Sequence, residues 1–168
     1  MPYYQPGDLV LDDYEIKAFI GEGGFAEVYR ALERDLNEDV ALKILRRAAE
    51  IGEDCYERAR QRFTLEARLG RRITHPHLIR IHRLAPDKSS GLLVLVMEYL
   101  PGGSLADRLR SGPLALGEAL QLARQVAAGL GALHGEDVVH RDLKPSNILL
   151  DAAGWVRVVD LGLAQAAN

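Results

Sequence analysis

Polar and apolar residues alternate along residues 14–20 and again along 26–31, with Gly21-Glu22-Gly23-Gly24 between them. The pattern predicts two strands joined by a glycine turn. Residues 40–45 read as a third strand, an apolar run interrupted only by Lys43. From about residue 54 to 73 the chain becomes charged and helical, with Phe63, Ala67 and Gly70 on one side at spacings of four and three. Residues 78–84 alternate once more, Pro86-Asp87-Lys88-Ser89-Ser90-Gly91 is a turn, and 92–97 is continuously apolar, as a buried strand is. The expectation is a first lobe over 13–97, a five-stranded antiparallel sheet plus one helix, preceded by a tail over 1–12. Glu98-Tyr99-Leu100-Pro101-Gly102-Gly103 breaks both periodicities and reads as a hinge over 98–103.

The remainder, 104–168, reads as a second and mainly helical part. Ser104 can cap a short helix to Arg110. A longer helix over 116–134 carries Leu116, Leu120, Ala123, Ala127, Leu130 and Leu133 as a predicted apolar stripe. Ala115 is a poor cap for it, and Gly129 and Gly131 each cost about 1 kcal/mol relative to Ala, so this helix depends on tertiary packing. Residues 148–150 and 156–159 read as a short strand pair around Ala153-Gly154. The fold class is α+β.

Composition narrows the partners. The 168 residues suit one domain, and 21 basic against 24 acidic residues leave a net charge of −3, which speaks against nucleic acid and against a polybasic membrane surface. Cys55 is the single cysteine, so no intrachain disulfide forms, which fits a cytoplasmic location. The first residues lack the basic start and apolar core of a secretory signal, and no apolar run reaches the roughly 18 residues of a membrane span.

Candidate chemistry lies in a few short stretches. The glycine turn joins strand to strand, whereas a dinucleotide-binding loop opens a helix and a Walker A loop needs Gly-Lys-Ser/Thr, which is absent. Lys43 reads either as a lysine on a solvated strand face or as a phosphate ligand. Among the acidic residues of the following helix, Glu66 and Glu57 are both candidates to pair with it, or either forms a surface pair with an arginine. His75 and His77 flank a proline with no further ligands nearby, which argues against a metal there.

His140-Arg141-Asp142-Leu143-Lys144-Pro145-Ser146-Asn147 fits H-R-D-x-x-x-x-N, Asp160-Leu161-Gly162 follows it, and Val40-Ala41-Leu42-Lys43 precedes it in the order V-A-I-K requires. From about Tyr14 to Ala164 the chain resembles the protein kinase family, most closely bacterial serine/threonine kinases of the Hanks type. The resemblance implies a kinase-like fold with a complete first lobe, and ATP and Mg²⁺ as donor and cofactor. It implies that Asp142 accepts the proton of a protein Ser or Thr hydroxyl, that Lys144 faces the moving phosphoryl group, and that Asn147 and Asp160 hold the metal. Lys43 would hold the α- and β-phosphates, and Glu66, favoured over Glu57 for its distance from His75-Pro76, would orient Lys43. Gly21 and Gly23 would cover the phosphates, and Ile20, Val28, Ala41 and Leu149 would sandwich the adenine. Met97 would line the back of that pocket, with Glu98 and Leu100 pairing to the base edge.

Three departures stand out: Ala26 at the third glycine position, Leu161 where the family usually has Phe, and Gly70 one turn beyond Glu66. The family pattern continues with an activation segment, an Ala-Pro-Glu motif and further helices, whereas this sequence reaches Asn168 six residues after Gly162. The expectation is therefore a catalytic-domain fragment with an incomplete second lobe. The alternatives are a nucleotide-binding module that transfers no phosphate and a product that does not fold alone.

Overall fold

In the computed structural model, which describes residues 2–23 and 25–166, the alternating segments pair into one antiparallel sheet. Its strands are β1 (Leu9–Val10), β2 (Tyr14–Glu22), β3 (Ala26–Glu33), β4 (Glu38–Leu45), β5 (Ile81–Pro86) and β6 (Leu93–Glu98), in the order β1-β2-β3-β4-β6-β5. The sheet therefore has six strands where five were expected. The extra strand comes from the stretch read as a tail, where Leu9 and Val10 pair with Glu15 and Tyr14. The expected strand over 78–84 begins later, at Ile81, because residues 78 and 79 bond elsewhere.

Two compact units result, one from residues up to Ala67 with Ile81–Tyr99, the other from Arg68–Arg80 with the chain from Leu100. Helix α1 (Ala48–Ile51) is a single turn, and α2 (Glu53–Arg72) contributes to both units.

In the first unit the strand register separates two faces, because residues paired across an antiparallel ladder share a side. Val40, Leu42 and Ile44 of β4 lie with Tyr29 and Ala31 of β3 and Val94 and Val96 of β6 in one apolar cluster. Residues 3–11 cover that cluster, with Val10 fully buried and Tyr3 and Tyr4 packed against it. Two buried carboxylates tie this segment down. Glu27 accepts from the Tyr3 amide at 3.0 Å and from the Tyr29 hydroxyl, and Asp87 accepts from the Leu11 amide at 2.8 Å. Asp87 is 2% exposed. Burial pushes its carboxyl upward, but the Ser89 and Ser90 hydroxyls and the Leu11 and Ser90 amides outweigh that and hold it at about 2.

In the second unit, α3 (Leu105–Arg110) starts at Ser104, whose hydroxyl accepts from the Asp107 amide at 3.1 Å while the Asp107 carboxylate takes the Ser104 amide at 2.9 Å. This reciprocal cap fixes the short helix at its entry. Helix α4 (Leu116–His134) buries Leu122, Gln125, Gly129 and Leu133. The predicted stripe needs correcting: Leu116 is 77% exposed and Leu120 54%, and the buried face is offset from that stripe. The reason is specific. Gln125 accepts the Val156 amide at 2.8 Å, and a Cβ on Gly129 would lie 2.7 Å from the His77 carbonyl. Gly129 is thus a contact point that lets α4 approach the turn after α2, a benefit set against its poor helix propensity.

The rest of the unit is short strands: β7 (Val138–Val139) with β10 (Gln165–Ala166), and β8 (Ile148–Leu150) with β9 (Val156–Val158). The Val158 amide donates to the His77 carbonyl and the Val158 carbonyl accepts from the Ile79 amide, while the Leu78 amide donates to the His75 carbonyl.

Candidate functional site

Each unit assembles its own part of the predicted constellation. In the first, the register pairs Gly21 with Val28, Val28 with Lys43, and Ala41 with Met97. These five residues therefore share the face opposite the Tyr29 and Leu42 cluster. Ala41 and Met97 are buried at 7% and 8%, whereas Ile20 is 46% exposed on the strand edge entering the turn. Lys43 Nζ lies 2.8 Å from Glu66 Oε2 and 5.3 Å from the ring centre of Phe63, both on α2. The fold thus brings Glu66 to Lys43, while Glu57 pairs with Arg60 at 2.9 Å on the outside of the helix. Glu66 is 2% exposed, so this is a buried contact and not a surface pair.

The glycine turn has an open side. A Cβ added at Gly21 or Gly23 would meet nothing within 4 Å, and neither residue has a left-handed φ. Neither packing nor backbone geometry in this unit requires glycine at those positions. Close approach of a ligand to the backbone would require it, as a phosphate group does.

In the second unit, residues 140–147 are braced from within. The His140 ring is 2% exposed; its Nδ1 accepts the Asp142 amide at 3.2 Å, which leaves Nε2 to donate to the Val159 carbonyl at 2.9 Å. His140 thereby links the loop to the stretch that carries Asp160. Asp142 Oδ2 accepts from Lys144 Nζ at 2.7 Å and Asn147 Nδ2 at 3.0 Å, and the same Asn147 nitrogen donates to the Asp142 carbonyl at 2.8 Å. The Lys144 ammonium holds the Asp142 carboxyl below its ordinary range, with the Asn147 amide adding to the effect. With its nitrogen committed to Asp142, Asn147 has its amide oxygen as the atom for a cation. The donor set, a carboxylate at Asp160 and an amide oxygen at Asn147, is the oxygen chemistry that Mg²⁺ prefers.

Asp160 adopts left-handed backbone angles, φ 64° and ψ 68°, and Arg141 has φ 65°. Such angles are costly for residues other than glycine and concentrate where a side chain must be aimed. Backbone bonding from the Val159 amide to the Asn147 carbonyl, 3.0 Å, sets Asp160 beside the loop. Leu161 is fully buried behind it, and Arg141 donates to the Gln165 side chain. Leu149 is half-buried on β8, and Leu100 is 8% exposed. Glu98 ends β6 in the first unit.

The bracing by His140 was missed in the sequence reading, although His140 stood inside the motif. The buried carboxylates Glu27 and Asp87 were missed as well, and nothing in their local pattern signals burial.

Comparison with known proteins points one way. The family model described as protein kinase domain matches residues 14–168. The chain is 34% identical over 165 residues to a probable serine/threonine-protein kinase, pknA2, of Bifidobacterium longum, covering 98% of this chain and 21% of that protein. It is 37% identical to serine/threonine-protein kinase pkn2 of Myxococcus xanthus, with 95% and 19% covered, and 35% identical to PrkC of Bacillus subtilis, with 96% and 24% covered. The chain thus spans about a fifth to a quarter of the length of these three relatives.

Proposed function

The chain belongs to the protein kinase family, in its Hanks-type serine/threonine branch, and from that premise we propose that it binds Mg-ATP and carries the residues for transferring the γ-phosphate to a protein Ser or Thr hydroxyl. The observation that carries the reading is Asp142, a carboxylate held ionised and aimed by Lys144 and Asn147. A carboxylate so placed accepts the hydroxyl proton as the oxygen attacks phosphorus. Mg²⁺, when bound, neutralises phosphate charge, and Asn147 Oδ1 and Asp160 would hold it. Lys144 would offset charge on the transferring group.

In the first unit, Lys43 would hold the α- and β-phosphates, with Glu66 fixing its ammonium. The Gly21 and Gly23 backbone would cover the phosphates. Ile20, Val28 and Ala41 would flank the adenine, Met97 would limit the pocket's depth and Glu98 would bond the base edge; in the second unit, Leu149 and Leu100 are the adenine-contacting positions that the family resemblance implies. Among the described residues no helix is long and apolar enough to cross a membrane.

Radiolabelled ATP and a generic protein acceptor test the proposal. Wild type transfers phosphate, and Asp142→Asn lowers the rate by about 10²–10⁴-fold while Mg-ATP still raises the melting temperature of the variant. A wild-type chain that is stabilised by Mg-ATP yet labels no protein would establish the nucleotide-binding module instead.

A further inference from the structure

Arg46 is the first residue beyond β4, and it grips the glycine hairpin on both sides of its turn. Its amide donates to the Phe25 carbonyl at 2.8 Å, and its guanidinium pairs with the Glu22 carboxylate. Among the described residues, the turn is also held by Gly23, which donates to the Ala26 carbonyl at 2.8 Å, and by Arg62 of α2, 5.8 Å from the Phe25 ring centre. With open space beside Gly21 and Gly23, packing contributes little there.

The register shows which side the Arg46 contact works from. Glu22 pairs with Glu27, and Glu27 with Ile44, so these lie on the Tyr29 face, away from Val28 and Lys43. Two carboxylates directly opposite each other repel, and Arg46 supplies the countercharge. Arg46 is itself held from behind, since the next residue, Arg47, donates its amide to the Tyr3 hydroxyl at 3.0 Å and lays its guanidinium 5.6 Å from the Tyr3 ring centre.

We propose that the Glu22–Arg46 pair is a latch that fixes the glycine hairpin from the face opposite Lys43, making Arg46 a positioning residue for nucleotide binding. The consequence for nucleotide rests on the function proposed above; the latch does not. Among the described residues Arg46 bonds Glu22 and Phe25, neither of them a proposed phosphate ligand, so its effect passes through the position of the hairpin. Glu22 is 61% exposed, so its pair with Arg46 shifts an opening equilibrium modestly, by up to about fivefold.

The test is a double-mutant cycle of Glu22→Gln, Arg46→Gln and the double variant, read by hydrogen exchange of the 21–26 amides without nucleotide and by fluorescent ADP binding with Mg²⁺. Arg46→Gln should speed exchange about three- to fivefold and weaken ADP by a similar factor, because it leaves Glu22 facing Glu27. Adding Glu22→Gln should recover part of both losses. Exchange unchanged by Arg46→Gln, or effects that simply add in the double variant, would overturn the latch. A wild type that binds no ADP while exchange follows the cycle would keep the latch and sink the nucleotide reading.

Discussion

The first unit covers the apolar face of its sheet within itself, and the second does not do the same for its long helix. Leu42, Ile44 and Tyr29 are fully buried under a segment only a few residues upstream of the sheet it covers. Helix α4 is apolar on two faces: one packs on β9 and the turn at His77, and the other lines an open apolar groove of about 340 Å³ with Leu105, Leu114, Ala123, Val126, Ala127 and Leu130. A strand alternates strictly, so one cover satisfies its apolar side, whereas a helix with two apolar faces needs two. Leaving Leu116 and Leu120 exposed forgoes roughly 1.5–3 kcal/mol each relative to full burial.

Trp155, the single tryptophan, is stacked on His77 in the second unit, so its fluorescence reports that unit while exchange of β4 and β6 amides reports the first. The strongest challenge to the comparison is Leu42→Ala, which should cost about 2–5 kcal/mol in the protection of β4 and β6 and move the Trp155 transition less. Equal shifts in both reporters would mean that the units unfold as one.

Acid should also separate them. Asp87 has its folded value depressed to about 2, so its stabilising contribution is present above the unfolded value, near 3.8, and is lost as pH falls from about 4 toward 2. The loss is roughly 2 kcal/mol in the first unit, and Asp87→Asn should abolish this pH dependence while lowering stability at neutral pH. A variant with the wild-type acid profile would remove Asp87 from the account.

Two glycines of α4 sharpen the contrast between its faces. Gly129→Ala drives a methyl into the His77 carbonyl and should cost about 1–3 kcal/mol of overpacking against a propensity gain of about 1, read at Trp155. Gly131→Ala meets open space and should stabilise by up to about 1 kcal/mol. The smallest effect is expected at the exposed start of α4, where Leu116→Ser should change stability by less than about 0.5 kcal/mol, read at Trp155.

Most strands, both longer helices and the Ser104 cap were legible from periodicity, because these depend on neighbours close in the chain. The motif stretches were equally legible as short strings: Lys43 lies on the strand read over 40–45, and Asp142 and Asn147 are bonded to each other within the stretch 140–147. Less was legible where a residue answers to a remote partner. Glu57 and Glu66 lie on one helix; the distance to His75-Pro76 favoured Glu66, but its burial beside Lys43, against the exposed Glu57–Arg60 pair, is decided by which face of the helix meets the sheet.

The sequence by itself determined the alternation of the sheet, the helical spans and the order of the chemical motifs, all of which are set by spacing along the chain. Only the tertiary structure decided that Leu9 and Val10 add a strand, that α4 buries Leu122 and Gly129 in place of Leu116 and Leu120, and that Arg46 reaches Glu22. Burial and ion pairing belong to whichever surfaces meet in space, and residues far apart in the chain choose those surfaces.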